Sequence, residues 1–193
     1  MSRSLRRVTW ALDPLACFWW ALLILCLPIQ WLWASAVAAA LHETGHALAV
    51  YLSGGRVRSI HIGITGASIY ADCTSQGRAI FCSLAGPFAS FLCLTLVRLW
   101  PLVALCGFVQ GLYNLLPLYP MDGGRALLGV LRSFCRKNPD GVFLRVQMCF
   151  AILLTAFGFF AAIRLGLGLF AFFPVLPLLF GKIPCKESNL RLQ

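Results

Sequence analysis

The chain has 193 residues, of which 60% are hydrophobic and only 11% are charged. Soluble domains carry about 25% charged residues, so this composition and the mean hydropathy of +0.84 exclude an ordinary soluble domain and predict an integral membrane protein. The net charge of +10 falls between apolar runs rather than along a polar stripe. It therefore indicates membrane topology and no nucleic-acid partner. The nine cysteines stand singly, and we interpret them as small hydrophobic residues.

Charge-free apolar runs divide the chain into six predicted membrane spans. The apolar stretch 14–52 is about twice as long as a bilayer core requires, so we expect it to cross twice, with a turn at Pro28 and Gln30. Further runs follow at 79–97, 99–121, 146–163 and 165–181. A cleaved signal peptide is the alternative for the first run. However, its apolar core of about 20 residues exceeds the 7–15 residues of signal peptides.

The basic residues orient these spans. With a cytosolic N-terminus, 14 of the 16 lysines and arginines fall on the cytosolic side, and only Arg98 and Arg164 lie outside. Cytoplasmic loops of membrane proteins carry this excess of positive charge. The sequence therefore predicts that both the N-terminus and the C-terminus are cytosolic.

The segment 55–78, between the second and third spans, differs from the rest of the chain. Ile60, Ile62 and Ile64 alternate with small or polar residues, and a second short run follows around 68–71. Alternation with period two predicts strands, and the glycine between the runs predicts a turn. The predicted fold class is an all-α membrane protein of about six transmembrane helices, with a small β-hairpin between spans two and three.

A metal-binding pattern lies inside the apolar run of the second span. His42 and His46 are four residues apart, so a helix places both rings on one face, with Glu43 at its flank. H-E-x-x-H is the pattern of two zinc ligands and a general base. The alternative is a pair of core histidines with polar neighbours. Three ionisable side chains in a membrane helix nevertheless indicate a function, because burying them there is costly.

A catalytic zinc needs three protein ligands and one open position. Among the six acidic residues, Asp122 is the best candidate, because it and His46 both lie near the cytosolic ends of their predicted spans. Pro117 and Pro120 break the helix before it, and broken backbone at membrane depth is tolerated where it lines a wet cavity. His61 remains a competing third ligand.

Three motifs together resemble the site-2 protease family of intramembrane zinc metalloproteases. They are "HETGH" at 42–46, "LAGPFASF" at 84–91 and "NLLPLYPMDG" at 114–123. The resemblance covers the core spans, about 31–128, with the motifs in the family's order. It implies that residues 1–193 form a single integral-membrane protease domain, whose C-terminal spans occupy about 146–181, in a bacterial cell membrane.

Within the family, the predicted layout is most like the bacterial sporulation branch, which processes a membrane-associated sigma-factor precursor. The sequence departs from that branch in having no CBS domain, and it has no PDZ domain. The resemblance implies the hydrolysis of a peptide bond in or near a transmembrane segment of a membrane-associated protein, close to the cytosolic face. Implied partners are the bilayer, a sigma-factor precursor or anti-sigma factor, and an inhibitory membrane protein or a second copy of the chain.

The resemblance also assigns site residues and one Zn²⁺ per chain. The expected residues are His42, His46 and Asp122 as ligands, Glu43 as catalytic base, and Asn114 and Pro117 as substrate-binding residues. A non-proteolytic zinc-binding regulator and a metal transporter are the alternatives. Glu43 argues against the first, since zinc binding alone needs no base. A single compact ligand set argues against the second, since transport needs a path of ligands through the bilayer.

Overall fold

Helices dominate the computed structural model, which describes residues 9–12, 17, 21, 24–25, 27–63, 66–72, 75–164 and 191–192. The helices bounded within these residues are α1 (Ile29–Leu52), α2 (Gln76–Leu92), α3 (Pro101–Asn114), α4 (Asp122–Phe134) and α5 (Pro139–Arg164). A 3₁₀ turn, Cys93–Leu96, extends α2. The strands are β1 (Thr9–Leu12), β2 (Arg56–Gly63), β3 (Gly66–Asp72) and β4 (Arg191–Leu192). Helix α2 packs against α1, α3 and α4, and α4 packs against α5.

Small residues bring α1, α2 and α3 to backbone contact. A Cβ added to Gly45 of α1 would lie 2.6 Å from both the carbonyl oxygen of Ala85 and the Cβ of Ala89 in α2. A Cβ on Gly107 of α3 would likewise lie 2.6 Å from the Cβ of Cys93. Membrane helices associate through such small residues, because the backbones can then approach closely. This close approach brings His42 and His46 of α1 within hydrogen-bond distance of α2.

The connection between α3 and α4 folds back onto the start of α4. Leu118, Tyr119 and Met121 are buried in it, and the backbone amide of Tyr119 donates a 3.1 Å hydrogen bond to Oε1 of Gln147 in α5. A Cβ on Gly124 would lie 2.5 Å from the carbonyl of Leu118, so only glycine permits this approach. Helix α5 therefore holds in place the loop that precedes Asp122.

The strands form a four-stranded sheet with the order β1-β2-β3-β4. Strands β2 and β3 pair antiparallel, from Arg56 opposite Asp72 to Gly63 opposite Gly66, in the segment where the sequence predicts a hairpin. The sheet is larger than that prediction. Strand β1 pairs in parallel with β2 over Ser59–Ile62, and β4 pairs with β3 at Ala71–Asp72. These added strands come from distant parts of the chain, and each is too short to give a period-two signal.

Two of the described helical segments, Gln76–Leu96 and Pro139–Arg164, are long and apolar enough to cross a membrane. The predicted span 99–121 is not one helix, because α3 ends at Asn114. Its 14 residues extend only about 21 Å, less than a bilayer core of about 30 Å. Most of the predicted first span and all of the span 165–181 lie outside the described residues, so the count of six stays a prediction.

Large apolar side chains remain exposed along α5. Phe157 is 65% exposed, and Ile152 and Ile163 are 64% and 65% exposed. Soluble monomers rarely expose contiguous apolar patches of this kind. Lipid chains can cover such a surface, so the exposure agrees with a helix in a bilayer.

The stabilising role of the Tyr119–Gln147 hydrogen bond can be tested by removing its acceptor. Gln147→Leu removes the acceptor from a buried amide, which costs about 1–3 kcal/mol, so the free energy of unfolding should fall by that amount. Met148→Leu, at the neighbouring exposed position, is the control and should unfold like the wild type. Unfolding of both variants in detergent measures the difference. Equal stability of Gln147→Leu and the wild type would contradict the role given to this bond.

Candidate metal centre

Three side chains from two helices converge in the bundle. His42 and His46 stand one turn apart on α1, and Asp122 is the first residue of α4. Nε2 of His42 lies 3.1 Å from Oδ2 of Asp122, and Nε2 of His46 lies 3.2 Å from the same oxygen. The two Nε2 atoms are 3.2 Å apart. The sequence places Asp122 76 residues beyond His46, and only the packing of α4 brings it to the histidines.

The sizes of these separations fit a tetrahedral zinc ion. Zinc–nitrogen bonds of about 2.0–2.1 Å at tetrahedral angles put neighbouring ligand atoms about 3.3 Å apart. The three edges of the observed triangle, 3.1, 3.2 and 3.2 Å, lie close to that value. His42 and Asp122 are 3% and 5% exposed, so the donor atoms are shielded from bulk water. Within the described residues, this is the group of histidine, cysteine and acidic side chains that can hold a metal ion.

The outer nitrogen of each histidine is held by α2. Nδ1 of His46 lies 2.8 Å from the carbonyl oxygen of Cys82, and Nδ1 of His42 lies 2.8 Å from Oγ of Ser90. A carbonyl oxygen only accepts, so Nδ1 of neutral His46 carries the hydrogen and its Nε2 presents a lone pair. That lone pair faces Asp122, whose ionised carboxylate also only accepts. A cation between these atoms relieves the repulsion, which is the fit expected of a metal site.

Asp122 divides its two oxygens between different partners. Oδ2 faces the histidines, whereas Oδ1 lies 3.7 Å from a guanidinium nitrogen of Arg125, one turn later in α4. The carboxylate also lies at the N-terminus of α4, where the helix dipole stabilises negative charge. Both effects favour the ionised form that binds a metal.

Gly86 of α2 faces the ligand atoms directly. A Cβ added there would overlap Nε2 of His46 and would lie 2.8 Å from Nε2 of His42. Any side chain at this position would fill the space beside the two nitrogens. The absence of a side chain therefore makes a cradle in α2 that receives the two histidine rings.

The other predicted site residues lie in α1, at the end of α3, in the loop before α4 and in β2. Glu43 is half-buried beside His42 on α1. Asn114 is the last residue of α3, and Pro117 lies in the loop before α4, both half-buried. His61, the competing third ligand, lies in β2, while Asp122 occupies the place beside the two histidines.

Sequence reasoning identified "LAGPFASF" as a motif without assigning a role to its members. The structure brings Gly86 and Ser90 of this motif against the two histidines. The spacing of four residues between Gly86 and Ser90 could have indicated this role, because it places both on one face of an apolar helix. Arg125 was interpreted only as a topological charge, although its place three residues after Asp122 allows the pairing observed.

Comparisons with known proteins found a family model, a relative and a solved structure that this chain resembles. The chain matches the model of Peptidase family M50 over residues 76–156, a stretch that includes Asp122 and begins after the H-E-x-x-H motif. A predicted zinc metalloprotease of Synechocystis sp. (strain PCC 6803) is 31% identical over 145 residues, which cover 66% of this chain and 38% of that protein. The chain thus spans well under half the length of this relative.

The fold is similar to that of the site-2 protease from Methanocaldococcus jannaschii. The TM-score is 0.66 at 19% sequence identity, and the match covers 96% of this chain and 95% of that chain. Together these matches confirm the resemblance to the site-2 protease family, Peptidase family M50, that the motifs indicate. Zinc is the metal that this family and the donor set indicate. Assignment to the sporulation branch stays a prediction.

The cradle at Gly86 can be tested by filling it. Gly86→Ala should weaken zinc binding by about 5- to 150-fold, because overpacking costs about 1–3 kcal/mol and the added methyl group meets the histidine nitrogens. Gly77→Ala is the matched control on the same helix, since a Cβ there meets nothing within 4 Å. Metal analysis and chelator competition on both purified variants measure the effect. Full zinc occupancy in Gly86→Ala would move the metal away from this triangle.

Proposed function

We propose that this chain is an intramembrane zinc metalloendopeptidase, in which His42, His46 and Asp122 hold one Zn²⁺. The observation that carries the proposal is the triangle of Nε2, Nε2 and Oδ2, with edges of 3.1–3.2 Å, in a buried site beside a glutamate. Three protein ligands with a fourth position open are the arrangement of catalytic rather than structural zinc. The match to Peptidase family M50 supports the same activity.

Glu43 is proposed as the general acid–base. When bound, zinc would supply a water whose pKa is lowered to about 7 and would polarise the scissile carbonyl. Glu43 would accept a proton from that water and pass it to the leaving amine. Its place next to His42 in sequence and three residues before His46 sets its carboxylate at the edge of the ligand face. Metal binding alone gives no reason for an ionisable group there.

Asn114 and Pro117 are proposed to bind the substrate backbone. Asn114 ends α3 and Pro117 belongs to the loop that leads to Asp122, so both lie on the segment that delivers the third ligand. The side-chain amide of Asn114 can donate to the developing oxyanion, which contributes about 3 kcal/mol in other hydrolases. Proline at 117 removes one backbone donor from the loop.

The proposed substrate is a membrane-associated protein with a transmembrane segment that unwinds near the cytosolic face. A helical amide is hydrogen-bonded within its own segment, so hydrolysis requires local unwinding, and helix-breaking residues in the substrate favour it. We propose six spans with cytosolic termini, based on the charge distribution. Sigma-factor precursors and anti-sigma factors are candidate substrates in a bacterial membrane.

Glu43→Gln separates catalysis from metal binding. The variant should keep its zinc and its fold, because Glu43 is no ligand, but lose at least about 100-fold in cleavage rate, the usual contribution of a general base. The purified wild type and variant would be compared on a panel of membrane-anchored substrates with helix-breaking residues. Near wild-type cleavage by the variant would reject the mechanism. A wild type that carries zinc into liposomes without cleaving any substrate would favour a transporter.

Asp122→Ala tests the third ligand. We expect it to lose both zinc and activity, because two histidines alone hold zinc weakly compared with three ligands. The matched variants His61→Ala and Asp72→Ala alter the competing histidine and another acidic residue, and both should retain the metal. Metal analysis of the three purified proteins decides between them. Full occupancy in Asp122→Ala together with loss in His61→Ala would transfer the role to His61.

A further inference from the structure

Helix α2 contacts both proposed zinc ligands from behind, but through two different chemical groups. His46 meets a backbone carbonyl, that of Cys82, at 2.8 Å. His42 meets a side-chain hydroxyl, that of Ser90, also at 2.8 Å. Only the second contact depends on the identity of a side chain. A substitution at Ser90 can therefore change how His42 is held, whereas a substitution at Cys82 leaves the backbone carbonyl in place.

The role of Nε2, the other ring nitrogen of His42, decides which group donates in the His42–Ser90 hydrogen bond. A hydroxyl can donate or accept, so the bond alone leaves the tautomer of His42 open. Nε2 of His42 faces Oδ2 of Asp122 at 3.1 Å and needs its lone pair to bind a metal. The single hydrogen of the neutral ring then sits on Nδ1, and Ser90 must accept it.

The hydroxyl of Ser90 is held firmly enough to orient a ring. Ser90 is 0% exposed and lies where α2 crosses α3. A Cβ added to Gly111 would lie 3.2 Å from the Cβ of Ser90, and one added to Gly107 would lie 2.9 Å from its carbonyl oxygen. The glycines of α3 thus close over the serine and fix the distance from α2 to α3.

We propose that Ser90 is the positioning residue of His42. Its Oγ accepts the hydrogen of Nδ1 and holds the ring in the tautomer and rotation that direct the Nε2 lone pair at the metal. This inference rests on the proposed function, since it takes His42 as a zinc ligand. Partners that accept from the second nitrogen of a metal-binding histidine fix its tautomer and raise its basicity, and their loss typically weakens metal binding 10–100-fold.

The competing explanation is that Ser90 serves only as a small residue at the α2–α3 crossing. The two explanations differ for Ser90→Ala, which keeps the Cβ that faces Gly111 and removes only the hydroxyl. A packing role predicts that alanine is as good as serine. A positioning role predicts that alanine loses zinc affinity while the bundle stays folded.

Zinc dissociation constants, measured by chelator competition in detergent, provide the first test. Ser90→Ala should bind zinc about 10–100-fold more weakly than the wild type, with the metal-free protein still folded. Ser83→Ala is the matched control. Ser83 is a buried serine of the same helix, 2% exposed, with no hydrogen bond to either histidine among the described contacts. Equal zinc affinity of Ser90→Ala and wild type, or equal losses in both variants, would overturn the proposal.

Ser90→Thr keeps the hydroxyl and should retain wild-type zinc affinity. This variant also decides the case if Ser90→Ala does not fold. A folded Ser90→Thr protein that binds zinc as weakly as His42→Ala would count against the proposal. His42→Ala itself tests the proposed function, because zinc binding unchanged by that substitution would show that His42 is not a ligand.

Ring ¹⁵N and ¹H spectra of the zinc-loaded protein test the hydrogen bond itself. The chain has only three histidines, so His61→Gln leaves the signals of the two proposed ligand rings alone. In the wild type and in Ser83→Ala, the Nδ1 hydrogen of His42 should be hydrogen-bonded, with a downfield shift and slow exchange with water, whereas in Ser90→Ala it should move upfield and exchange faster. Identical ring spectra of the wild type and Ser90→Ala would reject the role of Ser90.

Discussion

Three electron-pair donors that face one another inside an apolar bundle are the constraint on which the rest of this structure depends. Nε2 of His42, Nε2 of His46 and Oδ2 of Asp122 lie 3.1–3.2 Å apart. Without a cation their mutual repulsion and their lost hydration would oppose folding. The surrounding helices must therefore hold the three side chains in register and also leave space for an ion.

Glycines in α1 and α2 hold the three side chains in register and also leave the site open. Gly45 lets α1 approach α2 until backbone meets backbone, which brings the outer nitrogens of the histidines within reach of Cys82 and Ser90. Gly86, on the same face of α2 as Ser90, leaves the ligand nitrogens uncovered. Small residues, which in membrane bundles usually serve helix association, here also set the geometry of a polar site. Helix α2 is therefore part of the site, although it contributes no ligand.

Asp122, on the side of the site opposite α1, is held by an irregular loop and by α5. Asp122 begins α4 directly after an irregular loop, and that loop is fixed by α5 through the bond from the Tyr119 amide to Gln147. Pro117 and Pro120 stop α3 from continuing, so the chain can turn and present the carboxylate at a helix N-terminus. The early end of α3 at Asn114 shortens the helix that the hydropathy pattern predicts to run to residue 121. The position of Asp122, the proposed third ligand, depends on this break.

The sequence by itself predicted the proposed ligand pair and the class of chemistry. His42, Glu43 and His46 lie within one turn and a half of a helix, where spacing alone fixes which side chains share a face. Proline and glycine signals near Asp122 also predicted irregular backbone there. Tertiary structure alone decided that Asp122 completes the triangle, that Gly86 leaves room beside it and that Ser90 and Cys82 hold the rings. Those contacts join residues 36–80 positions apart, and no local pattern encodes distances that arise only when helices pack.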